Sequence, residues 1–157
     1  MRCFGLILVM GMLASVAGAS LLAVSRPATA ACIAGPRAVG GDALQVFCGP
    51  ATVTIRYAGK AVRIRNGQCG PNVPGFFSVR VGTLTLVSAR PRSTAFVLYV
   101  DGARDRTYRN QRLAFQYAHH HHQVLPNRVT LAGGATRGTF SGLVSGSQTT
   151  VTGSFAC

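Results

Sequence analysis

Short runs of alternating apolar and polar residues, separated by clusters of Gly, Pro, Asn and Asp, recur from residue 51 to the C-terminus. A period of two marks strands with one buried face, and no stretch of residues 31–157 sustains the 3.6-residue period of an amphipathic helix. Val53, Ile55 and Tyr57 alternate with Thr52, Thr54 and Arg56, and Val62 and Ile64 alternate with Arg63 and Arg65. A turn at Ala58-Gly59 sets Val53 against Ile64 and Ile55 against Val62, with both pairs on one side. A second hairpin is expected from Thr139 to Val144, a turn near Ser145 to Gln148, and a return from Thr149 to Cys157. Centred between Ser147 and Gln148, that turn opposes Phe140 to Phe155, Gly142 to Gly153 and Val144 to Val151. Opposed glycines leave bare backbone over which flanking aromatic rings lie.

Between the hairpins, Phe77, Val79 and Val81 follow one phase and Leu84 and Leu86 the other, which predicts a bulge at Gly82. Ala95 to Val100 is apolar on both faces and reads as a central strand covered from both sides. Leu113, Phe115 and Tyr117 alternate again, and a further strand is centred on Val129 to Leu131. The count comes to about eight strands, and the fold class is all-β: a small antiparallel sandwich or barrel.

Residues 1–30 read differently. Arg2 precedes an almost uncharged apolar run from Phe4 to Val24, followed by Ser25, Arg26, Pro27 and the small-residue triplet Ala28, Thr29, Ala30. That order is a secretory signal peptide with cleavage after Ala30, leaving residues 31–157 as one exported domain with no transmembrane segment. An uncleaved anchor is the alternative, since the run is about the ~20 residues that cross a bilayer. Gly5, Gly11, Gly18 and Pro27 speak for cleavage. Lipidation of Cys32 is a third option, weakened by Thr29 where lipoboxes carry an aliphatic residue.

Removing the leader removes Cys3 and leaves Cys32, Cys48, Cys69 and Cys157, an even number in an oxidising compartment, so two disulfides are expected. Extending the register of the first hairpin sets Cys48 opposite Cys69, and Cys32 then pairs with Cys157 across a long loop. Other connectivities stay open. Lipidating Cys32 would instead strand an odd thiol.

Sixteen Lys and Arg, less Arg2 and Arg26, against Asp42, Asp101 and Asp105, leave residues 31–157 with +11 and no glutamate at all. The excess favours anionic partners such as envelope polymers or acidic lipid surfaces, and it also serves solubility. Arg104, Arg106, Arg109 and Arg112 form the densest basic segment and the candidate anion-binding surface, because guanidinium forks grip phosphate or carboxylate in bidentate fashion. The plainer reading is a hydrated polar connection. His119, His120, His121 and His122 offer imidazoles at i and i+2 to Zn²⁺ or Cu²⁺, though a solvated hairpin loop joining the strands around Phe115 and Val129 is the favoured reading. No other cofactor is indicated.

Catalysis finds little support. There is no glutamate, the aspartates lie in turn-like contexts, the cysteines are accounted for, and no G-x-S-x-G or phosphate-loop pattern is present. Sequence-specific nucleic-acid modules are also absent from the pattern, so only non-specific, salt-sensitive attraction is expected.

The leader, Cys48-Gly49-Pro50 with Val53 and Ile55, Asn66-Gly67-Gln68-Cys69, and Gly138-Thr139-Phe140-Ser141-Gly142 closing on Gly153-Ser154-Phe155-Ala156-Cys157 resemble small exported actinobacterial envelope proteins, including the mycobacterial lipoprotein-antigen family. The resemblance spans about half of residues 31–157. It implies a secreted or envelope-associated β domain and supplies no catalytic residues.

Overall fold

The alternating runs become strands along almost the whole of residues 31–88 and 90–157, which are the residues described in a computed structural model. The predicted leader, residues 1–30, lies outside the described residues. The strands are β1 (Gly35–Val39), β2 (Asp42–Val46), β3 (Thr52–Tyr57), β4 (Lys60–Ile64), β5 (Gly67–Val73), β6 (Phe76–Val87), β7 (Ala95–Val100), β8 (Thr107–Arg109), β9 (Arg112–Tyr117), β10 (His120–Ala132), β11 (Arg137–Val144) and β12 (Thr150–Ala156). They pair antiparallel along one path, β1-β2-β6-β7-β9-β10-β11-β12-β3-β4, with β5 added to β6 and β8 to β10.

Two long strands fold this path into two layers by changing partners along their length. Phe77 to Gly82 of β6 pair with β7, and Thr83 to Val87 pair with β2. His120 to Gln123 of β10 pair with β9, whereas Asn127 to Ala132 pair with β11 and Arg128 to Thr130 with β8. The change falls at a register shift between Val124 and Asn127. There the buried Asn127 amide donates to the carbonyls of Val124 (2.6 Å) and Gln111 (2.7 Å), replacing ladder bonds that the shift removes.

One layer is β5, β6, β7, β9 and the start of β10; the other is β8, the rest of β10, β11, β12, β3 and β4. Between them Val79, Val81, Phe96, Leu98 and Phe115 meet Val53, Ile55, Val129, Leu131, Phe140, Val151 and Phe155. Phe96 stacks on Phe140 with centroids 4.9 Å apart, and Phe77 meets Phe155 at 6.1 Å. Each such side chain stabilises the fold by about 1.5–3 kcal/mol on burial.

The all-β class holds, and the β3–β4 pairing is as anticipated, Val53 opposite Ile64 and Ile55 opposite Val62. Twelve strands replace the expected eight. Of the four additions, β1 and β5 carry Gly and Pro, β8 spans three residues, and β2 is half-buried at all five positions, so none shows a clear alternation. Val97 and Tyr99 of β7 are half-buried, so the outer side of this central strand is only partly covered.

Both disulfides differ from the expected pairing: Cys32 joins Cys48, and Cys69 joins Cys157. The hairpin register does not continue past Val53 and Ile64, because Asn66, at φ 64°, turns the chain out of one layer and into the other. Gly67 then bridges Pro50 in parallel, and β5 runs on along β6 with Cys69 opposite Val79. Cys69 is carried to the C-terminus of the chain, and Cys48 meets the segment before β1.

The C-terminal hairpin is set two residues from the expected register: Phe140 opposes Gly153, and Gly138 opposes Phe155. Gly146, at φ 78°, and the Val144 N–H bond to the Thr149 carbonyl centre the turn earlier. Each glycine therefore lies under one aromatic ring, where a Cβ on Gly153 would collide with Phe140 and one on Gly138 with Phe155.

Candidate binding face of threonine and arginine

The inward residues of β3, β4 and β10 to β12 form the core, so their alternates point outward on the same layer. Register aligns these alternates into two rows across six strands. The first row runs Arg109, Arg128, Ser141, Thr152, Arg56, Ala61. The second runs Thr107, Thr130, Thr139, Ser154, Thr54, Arg63. In the first row Ser141 and Thr152 lie between the Arg109–Arg128 pair and Arg56; in the second, hydroxyls run from Thr107 to Thr54 and Arg63 ends the row. Arg56, Arg63, Arg109 and Arg128 are exposed, and neither row contains a carboxylate or an aromatic ring.

Like charges directly opposite one another in a sheet repel. Arg109 and Arg128 are such a pair, joining β8 to β10. A trough of about 340 Å³ lies on the face, lined by Arg56, Arg128, Thr139, Ser141, Thr152 and Ser154 among others.

The expected basic segment is divided by the fold. Arg109 joins the face just described. Arg112 lies opposite Tyr99 on the other layer, where both help line a second depression with Val97 and Leu125. Arg106 lies over the Tyr108 ring at 4.6 Å, and the Tyr108 hydroxyl closes the loop through the backbone of Arg104 at 3.1 Å. Asp105 accepts from the N–H groups of Gly134 and Ala135 at 3.0 Å each. These backbone bonds, Gly134 first, hold its carboxyl below the usual aspartate range. Arg56, Arg63 and Arg128 belong to no contiguous basic segment with Arg109, because they are far apart in sequence. Their signal lay in the polar phase of the alternation, which is Thr, Ser or Arg at nearly every position of these strands.

The histidines sit on a hairpin. Ala118 and His119 form its turn, both at positive φ, and His120 to His122 begin β10 opposite Tyr117 to Phe115. His120 and His122 share a face with ring centroids 6.0 Å apart. His122 stacks on Phe115 at 4.6 Å and lies 4.8 Å from Tyr57, with its Nε2 buried and unpaired. Burial lowers its pKa, and a hydrogen bond with the Tyr117 backbone opposes that shift. His121 instead approaches the buried Gln116 amide, Nδ1 to Nε2 at 2.9 Å. Among the described residues no group of three or more His, Cys, Asp or Glu is gathered for a metal ion.

The two disulfides point to an oxidising, extracytoplasmic compartment. Among the described residues no helix is long and apolar enough to cross a membrane. No protein-family model matches the chain, and neither the curated proteins nor the solved structures compared with it give a match.

Proposed function

We propose that the chain is an exported, non-enzymatic β module of the cell envelope that binds an extended anionic polymer on its threonine and arginine face. The observation that carries this reading is the alignment of Arg109, Arg128, Arg56 and Arg63 on one sheet face around a hydroxyl field, with no carboxylate in either row. An uncompensated Arg109–Arg128 pair costs stability in the free protein and repays it when an anion lies above it. The absence of aromatic rings in both rows removes the stacking platform on which proteins hold single-stranded bases. The leader of residues 1–30, the disulfides and the likeness to actinobacterial envelope proteins support export to the envelope. Scarce carboxylates and cysteines committed to disulfides support a binding role over catalysis.

Retention on a sulfated or phosphorylated resin tests the reading. The protein is expected to elute only at raised salt, and a variant with Arg56, Arg63, Arg109 and Arg128 changed to Ser is expected to elute near the void. Equal retention of the two proteins would refute it.

A second reading, transition-metal binding, is favoured by the shared face of His120 and His122. Calorimetric uptake of Zn²⁺ or Cu²⁺ at micromolar concentration, lost in H120A/H122A, is its expected outcome; no uptake below millimolar concentration excludes it.

A further inference from the structure

We infer that the trough between Arg128 and Arg56 is a discrete subsite for a tetrahedral oxyanion, a phosphate or sulfate group borne by the polymer; this rests on the face being a polyanion site. Arg128, Ser141, Thr152 and Arg56 are successive cross-strand partners in one row. Three strand steps at about 4.8 Å separate the two arginines by roughly 14 Å along the sheet. Both still line the same trough of about 340 Å³, together with Thr139 and Ser154 from the second row. The two arginines therefore stand at opposite ends of the trough, with hydroxyl-bearing residues between them.

That arrangement selects by shape. A carboxylate presents two oxygens in one plane, and a single bidentate arginine satisfies it. A phosphate or sulfate group directs oxygens out of any one plane, so it can meet both forks and still accept from a hydroxyl beneath. Ser141 and Thr152 stand on adjacent strands at the middle of the row, and their hydroxyl hydrogens rotate to suit the oxygen above them. Lysine at either end would keep the charge but lose the fork.

Binding of the folded protein to inorganic polyphosphate, dextran sulfate and polygalacturonate at one salt concentration tests the subsite. The phosphate and sulfate polymers are expected to bind more tightly than the carboxylate polymer, and the stronger of the two identifies the group. R56K/R128K is expected to weaken phosphate or sulfate binding roughly tenfold, while carboxylate binding changes less than about twofold. S141A/T152V, which keeps every charge, is expected to erode the same preference. Unchanged affinities in R56K/R128K for all three polymers overturn the subsite but not the face, because net charge is retained. Binding that survives serine at Arg56, Arg63, Arg109 and Arg128 overturns the face itself.

Discussion

His122 gives up water on folding by lying against Phe115 and Tyr57, so its neutral form is favoured and its pKa falls below the ordinary 6.5. The unfolded chain then binds the proton more readily in the window below 6.5. Stability contributed by neutral His122 is thus present above pH 6.5 and is lost as pH falls from there toward the lowered value. Melting temperatures measured from pH 7.5 to 5 are expected to decline through that window, and H122F is expected to flatten the decline. Asp105 acts lower on the scale. Its depressed carboxyl contributes stability above its ordinary 3.8 that disappears as pH drops below it, a step that D105N should remove from acid-unfolding curves. Glycine at position 153 is fixed by packing, since any Cβ there meets the Phe140 ring and the Thr54 carbonyl. G153A should lower unfolding free energy by about 1–3 kcal/mol in a denaturant titration, and a neutral result would show that the ring is free to move aside.

At the scale of elements, the disulfides restrain different loops. Cys69–Cys157 closes 88 residues of separation and Cys32–Cys48 only 16. The chain-entropy model assigns about 4.6 kcal/mol to the long loop and about 3 kcal/mol to the short one. C69S/C157S is therefore expected to destabilise more than C32S/C48S in matched denaturant melts. Peptide mapping without reductant should recover residues 32 and 48 linked, and 69 and 157 linked. How much of this was legible in sequence depended on turn length. The two-residue turn Ala58-Gly59, both at positive φ, leaves β3 and β4 one register, and alternation alone located it. The longer turn around Gly146 leaves room for a two-residue slide, so the Phe and Gly partners of β11 and β12 could not be read off by symmetry. The cysteine pairing failed for a similar reason: extrapolating a hairpin assumes that the chain stays in its layer, and Asn66 and Gly67 take it out. Gln116 shows a third kind of hidden interaction. Its buried amide bonds both the N–H and the carbonyl of Thr85, at 2.8 and 2.6 Å, filling the place of a strand where β7 has not yet begun. Q116A should cost about 1–3 kcal/mol by orphaning those groups.

Over the whole molecule, excess arginine becomes informative only once topology distributes it. The basic segment from Arg104 to Arg112 is contiguous in sequence, yet the fold assigns its members to a loop, a buried tyrosine and two different layers. Residues from all six strands, distant in the chain, supply the hydroxyl field and the arginines around it. Charge alone proposes a class of partner; strand register is what proposes a surface for it. The most direct test is the dependence of polyanion affinity on salt, measured for residues 31–157 and for their R56S/R63S/R109S/R128S variant. The account predicts a steep loss of affinity with rising salt and a log–log slope shallower by about 3 in the variant, at roughly 0.7 for each phosphate no longer neutralised. The same affinity and the same slope in both proteins would contradict it.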